Sequence, residues 1–139
     1  MITTYTEALE KIFTYEECRD YSLAKMEQAM ELLGDPLKNI KVIHVAGTNG
    51  KGSTCRMVYA VLREAGYSVG TYNQPHLVDI RERWIVNEQM MSEEEFVEIL
   101  NRILALPIDL SYFERTTLIA FLYFEKKQVE YACIEVGFG

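Results

Sequence analysis

The sequence predicts an α/β fold in which helices flank a mainly parallel sheet. Three observations predict it. A β-branched apolar run, Ile40 to Ala46, enters a glycine-rich turn, and a helix-spaced stretch, Gly52 to Ala65, follows. A second strand candidate, Tyr67 to Tyr72, closes a strand–turn–helix–strand series of about 30 residues, the size of a βαβ unit with parallel strands. Helix and strand signals then alternate to the last residues, which favours one mixed layer structure over an all-α or all-β fold.

Each element has a local reason. Thr4 stands three residues before Glu7, a capping-box pattern that starts a short helix ending near Phe13. A second helix starts at Ser22, with Leu23, Met26, Met30 and Leu33 on one face. Gly34 and Asp35-Pro36 stop it. Met57, Val58, Val61, Leu62 and Ala65 give the next helix its apolar face, and Gly66 its cap. Residues 73–82 read as irregular. Trp84-Ile85-Val86 and Gln89-Met90-Met91 flank Asn87-Glu88 as a small hairpin. Ser92 and Glu95 form another capping box, followed by Phe96, Ile99, Leu100, Ile103 and Leu104, and Pro107 ends that helix. Thr116 to about Lys126 is a further helix with Leu118, Phe121 and Leu122 inward. Lys126 and Lys127 suit its negative end. Tyr131 to Val136 is the last strand, with Glu135 near its end.

Composition narrows the function classes. The 139 residues suit one domain, and a chain of this size buries roughly 68–70% of its unfolded surface. Hydrophobic residues at 49% and charged residues at 25% exclude a disordered chain. A net charge of −7 argues against a general nucleic-acid binder, which needs a basic face. No apolar run approaches the roughly 20 residues that span a membrane. Met1 to Phe13 lacks the basic start and apolar stretch of a signal peptide, so the expected location is the cytoplasm. Cys18, Cys55 and Cys133 are odd in number with no CxxC pair, which reads as reduced thiols rather than disulfides or a zinc site.

The strongest chemical signal is Gly47-Thr48-Asn49-Gly50-Lys51-Gly52-Ser53-Thr54. It lies between a predicted strand and a predicted helix, where a phosphate-binding loop belongs. Glycines let several amides converge on an anion, and the helix points its positive end at the same place. Lys51 can reach terminal phosphates and is the candidate catalytic residue. A nearby hydroxyl, Ser53 first, can ligate Mg²⁺. The common GxxxxGK[ST] spacing is not met, because Gly52 separates Lys51 from Ser53. The alternative is a tight turn with a solvated lysine. Three glycines, a lysine and two hydroxyls at one strand-to-helix junction outweigh it.

Glu135 is the second candidate. A carboxylate at the end of an apolar strand needs a partner, and a divalent cation is a natural one. Ligands of parallel sheets gather at the carboxyl ends of strands. An edge or solvent-facing acid fits its position equally well. His44, inside the first strand, reads as a packed, hydrogen-bonded histidine, and His76 also reads as structural. Glu82 and Arg83 read as solvated charges beside Trp84. Tyr112, Phe113, Phe121, Tyr123 and Phe124 read as core or helix face rather than a ligand box.

His44 to Thr54, HVAGTNGKGST, resembles the nucleotide loop of the folylpolyglutamate synthase/dihydrofolate synthase family, within the wider Mur ligase superfamily. Further family segments recur in order: Leu33-Gly34-Asp35-Pro36, Gln74-Pro75-His76-Leu77, Glu82 to Asn87, Tyr112-Phe113-Glu114, Ala120 to Phe124 and Glu135 to Gly139. The resemblance covers essentially the whole chain and implies a Mur-ligase-central-domain-like sheet with a P-loop. It implies an ATP-dependent amide ligase, which phosphorylates a carboxylate of a folate or dihydropteroate and lets the amine of L-glutamate displace phosphate. By position, Gly50, Lys51, Gly52 and Ser53 match the family's loop residues that hold ATP, and Glu135 a family Mg²⁺ ligand; Gly47, Thr48, Asn49 and Thr54 complete the candidate ATP loop, and Ser53 is also a candidate Mg²⁺ ligand.

Two departures qualify what the resemblance implies. The family commonly has a serine before Pro-His-Leu that helps hold Mg²⁺, and here it is Gln74. Its longer carboxamide can ligate only with different local geometry or an intervening water. The chain also stops at Gly139, where the family continues. Residues 1–139 then correspond to an N-terminal part of the ATP-binding domain, truncated, without the C-terminal glutamate-binding domain. On that reading the chain alone is catalytically incomplete, and its unfinished sheet edge risks self-association, whereas the family enzymes are generally monomers. The competing readings are a nucleotide-binding or interaction module without ligase activity, and a related ligase with another carboxylate substrate. The GTNGKGS loop weighs against the latter.

Overall fold

The computed structural model describes residues 1–13, 23–46, 50–74 and 78–135, with Lys51 described through its backbone. Its elements are α1 (Tyr5–Phe13), α2 (Ala24–Leu32), β1 (Lys41–Val45), α3 (Lys51–Glu64), β2 (Val69–Tyr72), a 3-10 turn (Ile80–Arg83), β3 (Trp84–Val86), β4 (Gln89–Met90), α4 (Glu93–Leu104), α5 (Tyr112–Lys127) and β5 (Tyr131–Glu135).

Short-range hydrogen bonds set most boundaries. The Glu7 amide donates to Thr4 Oγ1 at 3.2 Å. The Glu95 amide donates to Ser92 Oγ, and the Ser92 amide to Glu95 Oε1, both at 3.0 Å, closing the predicted box at α4. At the end of α2, the Gly34 amide donates to Glu31 O and the Asp35 amide to Met30 O. This paired closure needs a left-handed residue, and Gly34 supplies it at φ 79°. The end of α3 repeats the pattern, with Gly66 and Tyr67 donating to Arg63 O and Leu62 O.

Two boundaries differ from the sequence reading. The last helix starts at Tyr112 rather than Thr116. The Ser111 and Glu114 side chains and amides bond each other reciprocally, at 2.9 and 3.2 Å, and so launch the helix a turn early. Within the stretch read as irregular, Asp79 caps the 3-10 turn by accepting from the Arg81 amide. Glu82 Oε2 accepts the amides of Val78 and Asp79 at 3.1 and 2.8 Å. Glu82 is therefore a capping residue, and Arg83 is buried; neither is a solvated charge.

The chain divides into two compact units, and the division falls within α5. The first comprises Met1–Pro36 and Ser92–Leu122 and is helical. There α1 packs on α4, with the Tyr5 and Phe96 rings edge to face at 5.5 Å. Asn101 clamps the first residues, its side chain accepting from Ile2 N at 3.0 Å and donating to Ile2 O at 2.8 Å. Ala8, Ile12, Phe96, Ile99, Leu100, Ile103 and Leu118 are buried, as their helical spacing predicts. The predicted face of α2 is only half-buried, and Leu23 is exposed.

The second unit, Leu37–Met91 and Tyr123–Gly139, holds a five-stranded sheet in the order β1-β5-β2-β3-β4. The first three strands are parallel. β3 and β4 add an antiparallel hairpin, so the sheet is mixed rather than wholly parallel. β1 and β2 are parallel as the βαβ reading requires, but β5 lies between them. The hairpin turns at Asn87-Glu88, both with positive φ, which matches the right-handed strand twist. Arg63 pairs with Glu88 at 3.0 Å, and the Glu88 amide donates to Tyr59 Oη at 2.7 Å, tying α3 to that turn.

α3 covers one sheet face through Cys55, Val58, Tyr59 and Leu62, against Ile43, Val45, Val69, Tyr131 and Cys133. Met57 and Val61, predicted inward, are 69% and 68% exposed. His44 is exposed, not packed. It alternates with Ile43 and Val45 and so points away from α3, on a strand paired to one neighbour only among the described residues. On that second face, Phe124 of α5 lies over Gly70.

Gly70 is bare because Phe124 occupies its side-chain space. A Cβ there would stand 2.5 Å from Phe124 Cδ1, and the ring is fully buried. Gly70→Ala should destabilise the fold by about 1–3 kcal/mol, read as a lowered denaturation midpoint.

Candidate functional site

The parallel strands end on one edge, and the sequence candidates that the structure describes are at that edge. β1 ends at Val45, β2 at Tyr72 and β5 at Glu135, with Val45 and Glu135 in register. α3 begins directly after Gly50, the last residue of the turn that follows β1. Gly47, Thr48 and Asn49 lie outside the described residues, as do Pro75, His76, Leu77 and Cys18.

Gly50 is the N-cap of α3 and is left-handed at φ 74°, a conformation that costs other residues roughly 1–2 kcal/mol. It offers no side-chain cap, and its carbonyl accepts the Thr54 amide at 2.9 Å. The first amides of a helix have no partner within it, so this end of α3 presents donors and a partial positive charge. Ser53 and Thr54 are exposed in the first turn.

Glu135 is buried, with 5% of its surface exposed, which rules out the solvent-facing alternative. It shares its sheet face with Cys133, toward α3. Its Oε2 accepts the Gln74 amide at 3.3 Å. The same oxygen would lie 3.7 Å from a Cβ on Gly52. Gly52, Glu135 and Gln74 therefore bound one small space at the start of α3. An acceptor-only carboxylate with spare lone pairs in such a space has the donor chemistry of a hard divalent cation site.

The Asn73-Gln74 segment is held from two sides. The Asn73 amide donates to Arg83 O at 2.9 Å, and Thr71 Oγ1 donates to Asn73 Oδ1 at 3.4 Å. Gln74 Nε2 is buried and has no hydrogen-bond partner among the described residues. A buried donor left so costs about 1–3 kcal/mol. Sequence reasoning placed Gln74 near the site but gave no sign of this atom. It also missed Gly52's closeness to Glu135, because the two are far apart in the chain.

Cys55 and Cys133 are buried free thiols behind the site. Cys55 Sγ lies 3.5 Å from Thr71 Oγ1. A hydrogen bond from Cys133 lowers the Cys55 pKa to about 7, against the effect of burial. The same bond, with burial, pushes the Cys133 thiol up. Among the described residues no helix is long and apolar enough to cross a membrane, and no group of three or more His, Cys, Asp or Glu side chains forms a metal cluster.

No protein-family model matches the chain. Individual relatives do. The chain is 40% identical over 126 residues to the dihydrofolate synthase/folylpolyglutamate synthase of Bacillus subtilis, covering 84% of this chain and 29% of that protein. The crystal structure of folylpolyglutamate synthase from Thermotoga maritima matches with a TM-score of 0.85 and 40% identity, over 96% of this chain and 33% of that one. The bifunctional folylpolyglutamate synthase/dihydrofolate synthase of Yersinia pestis, complexed with AMPPNP and Mn ion, matches with a TM-score of 0.91 and 35% identity, over 99% of this chain and 34% of that one. The chain thus spans about a third of the length of these relatives.

The space beside Glu135 can be tested by filling it. Gly52→Ala adds a methyl at ordinary contact distance to Glu135 and improves helix propensity by about 0.8–1 kcal/mol. The variant should keep or raise its melting temperature, measured by thermal denaturation, because the methyl meets Glu135 without a clash. For the thiols, Cys133→Ala in a Cys18→Ser background removes the bond that lowers Cys55. Thiolate absorbance should then show the Cys55 titration midpoint move above about 7.

Proposed function

The chain belongs to the folylpolyglutamate/dihydrofolate synthase family, and from that premise we propose that it forms the nucleotide-phosphate-binding segment of an ATP-dependent ligase. In this reading the full-length protein joins L-glutamate to a carboxylate of a folate or dihydropteroate. A carboxylate is a poor electrophile, and transfer of a phosphoryl group from ATP gives it a good leaving group. Most of the help a protein gives such a transfer is positioning and neutralisation of charge.

The observation that carries the reading is the buried Glu135 at the strand end, facing Gly52 in the first turn of α3. The residues present fit a hard cation. Glu135 accepts one described hydrogen bond, from Gln74 N, and keeps acceptor capacity to spare. Gly52 leaves the neighbouring space open. Glu135 and Ser53 would hold Mg²⁺, which when bound would screen the charge of the phosphates. The amides of the first turn of α3 orient phosphate oxygens, and Lys51 adds a positive charge at the same helix start. Gly50 lets the backbone enter the helix at the angle this requires. The Yersinia pestis relative, bound to a nucleotide analogue and a divalent metal, supports the same assignment.

Calorimetry with MgATP on the folded chain tests the proposal, beside Lys51→Ala. Wild type should bind, and the variant should lose about ten- to a hundredfold in affinity, the worth of a hydrogen bond to a charged group. Equal binding by both proteins would remove Lys51 from the phosphate site. A folded wild type that does not bind would overturn the reading.

A further inference from the structure

We propose that Thr71 is a positioning residue for Glu135: its hydroxyl holds Asn73 so that the next amide, that of Gln74, meets the carboxylate. The role rests on the nucleotide reading above, in which Glu135 would hold the cation.

Little holds Glu135 in place. The carboxylate is buried, and among the described residues its one hydrogen bond comes from the Gln74 amide, at 3.3 Å. The terminal torsion of a glutamate is broad, so the place of that amide decides where Oε2 stands. Gln74 lies two residues beyond Tyr72, the end of β2, and Asn73 alone joins it to the strand. Asn73 is fixed at two points. Its amide donates to Arg83 O at 2.9 Å. Its Oδ1 accepts from Thr71 Oγ1 at 3.4 Å.

Thr71 is well placed for this. It stands in register with Cys133 of the neighbouring parallel strand. Glu135 is two residues further along β5 and so on the same face. Thr71 is 5% exposed, beside the apolar layer of Cys55, Val69 and Cys133. A hydroxyl buried there is costly unless it is bonded. Cys55 Sγ, on α3, lies 3.5 Å from the same oxygen. With the Thr71 proton given to Asn73, that oxygen is left to accept from the thiol. The contacts run in series from Cys55 to Thr71 to Asn73, and the amide after Asn73 meets Glu135. One hydroxyl thus ties α3, the end of β2 and the carboxylate together.

Thr71→Val removes the hydroxyl at nearly constant shape, and Thr71→Ser keeps it. In the ligand-free protein, amide hydrogen exchange followed by NMR reads the Gln74 bond directly. Thr71→Val should speed exchange at Gln74 about tenfold and leave the amides of β2 and β5 unchanged. Thr71→Ser should exchange at the wild-type rate. ATP binding by calorimetry at a series of Mg²⁺ concentrations reads the consequence. Thr71→Val should need about three- to tenfold more Mg²⁺ for the same nucleotide affinity, with affinity in the absence of Mg²⁺ unchanged. Asn73→Ala breaks the same link from its other end, so the double variant should lose little more than either single one. Should Thr71→Val fail to fold, Asn73→Ala must show both effects.

A merely structural threonine would instead speed exchange across β2 and weaken binding equally with and without Mg²⁺. That result would overturn the proposal. So would unchanged exchange at Gln74 in Thr71→Val, or a Thr71→Ser variant that behaves as Thr71→Val does. A wild type that binds no MgATP would defeat the nucleotide reading, and exchange at Gln74 in the ligand-free protein would still decide the role of Thr71.

Discussion

A carboxylate buried at the end of the middle strand of a parallel trio is the constraint around which this molecule's site is arranged. Glu135 gives up most of its water, and such a loss must be compensated by hydrogen bonds or a counter-charge. Its described compensation is one backbone amide, from Gln74. That single bond makes the turn after β2 part of the same structure as the end of β5. The start of α3 lies against the same group, since a Cβ on Gly52 would stand at contact distance, 3.7 Å, from Glu135 Oε2. Three chain segments, distant in sequence, are set by the needs of one side chain.

The sheet makes this convergence possible. β5 enters between β1 and β2, so both flanking strands end beside its carboxyl end. α3 then has two tasks. Its first turn, directly after the N-cap Gly50, carries Gly52, and its body seals the sheet through Cys55, Val58, Tyr59 and Leu62. Arg63, Tyr59 and the Asn87-Glu88 turn fasten its far half to the hairpin. Behind the site, Thr71, Cys55 and Cys133 form a small polar contact in an apolar layer, in which hydrogen bonds from Cys133 and then Thr71 draw the Cys55 thiol below its ordinary value.

Elements governed by neighbours in sequence were legible in the sequence. The Thr4 side-chain cap, the capping box at Ser92, the stop at Gly34, the cap at Gly66 and the two-residue turn at Asn87-Glu88 all follow from bonds spanning a few residues. The late start assigned to the last helix overlooked a box of the same kind at Ser111 and Glu114. The misjudged faces have another cause. Met57, Val61 and His44 were placed inward by periodicity or by apolar neighbours, yet periodicity shows that a face exists and not whether anything covers it. Here α3 turns its Cys55–Leu62 side to the sheet and leaves Met57 and Val61 exposed.

The sequence by itself determined the local chemistry: a glycine-rich turn between strand and helix, a lysine at the helix start, an acid closing an apolar strand, and motifs specific enough to indicate a family. Only the tertiary structure decided that the acid is buried, that it meets Gly52 and the Gln74 amide, and that the Gln74 side chain ends in a buried donor with no partner among the described residues. The physical reason is distance along the chain. Gln74 and Glu135 are brought together by strand order, β5 between β1 and β2, and strand order is set by the packing of whole faces rather than by any residue's neighbours.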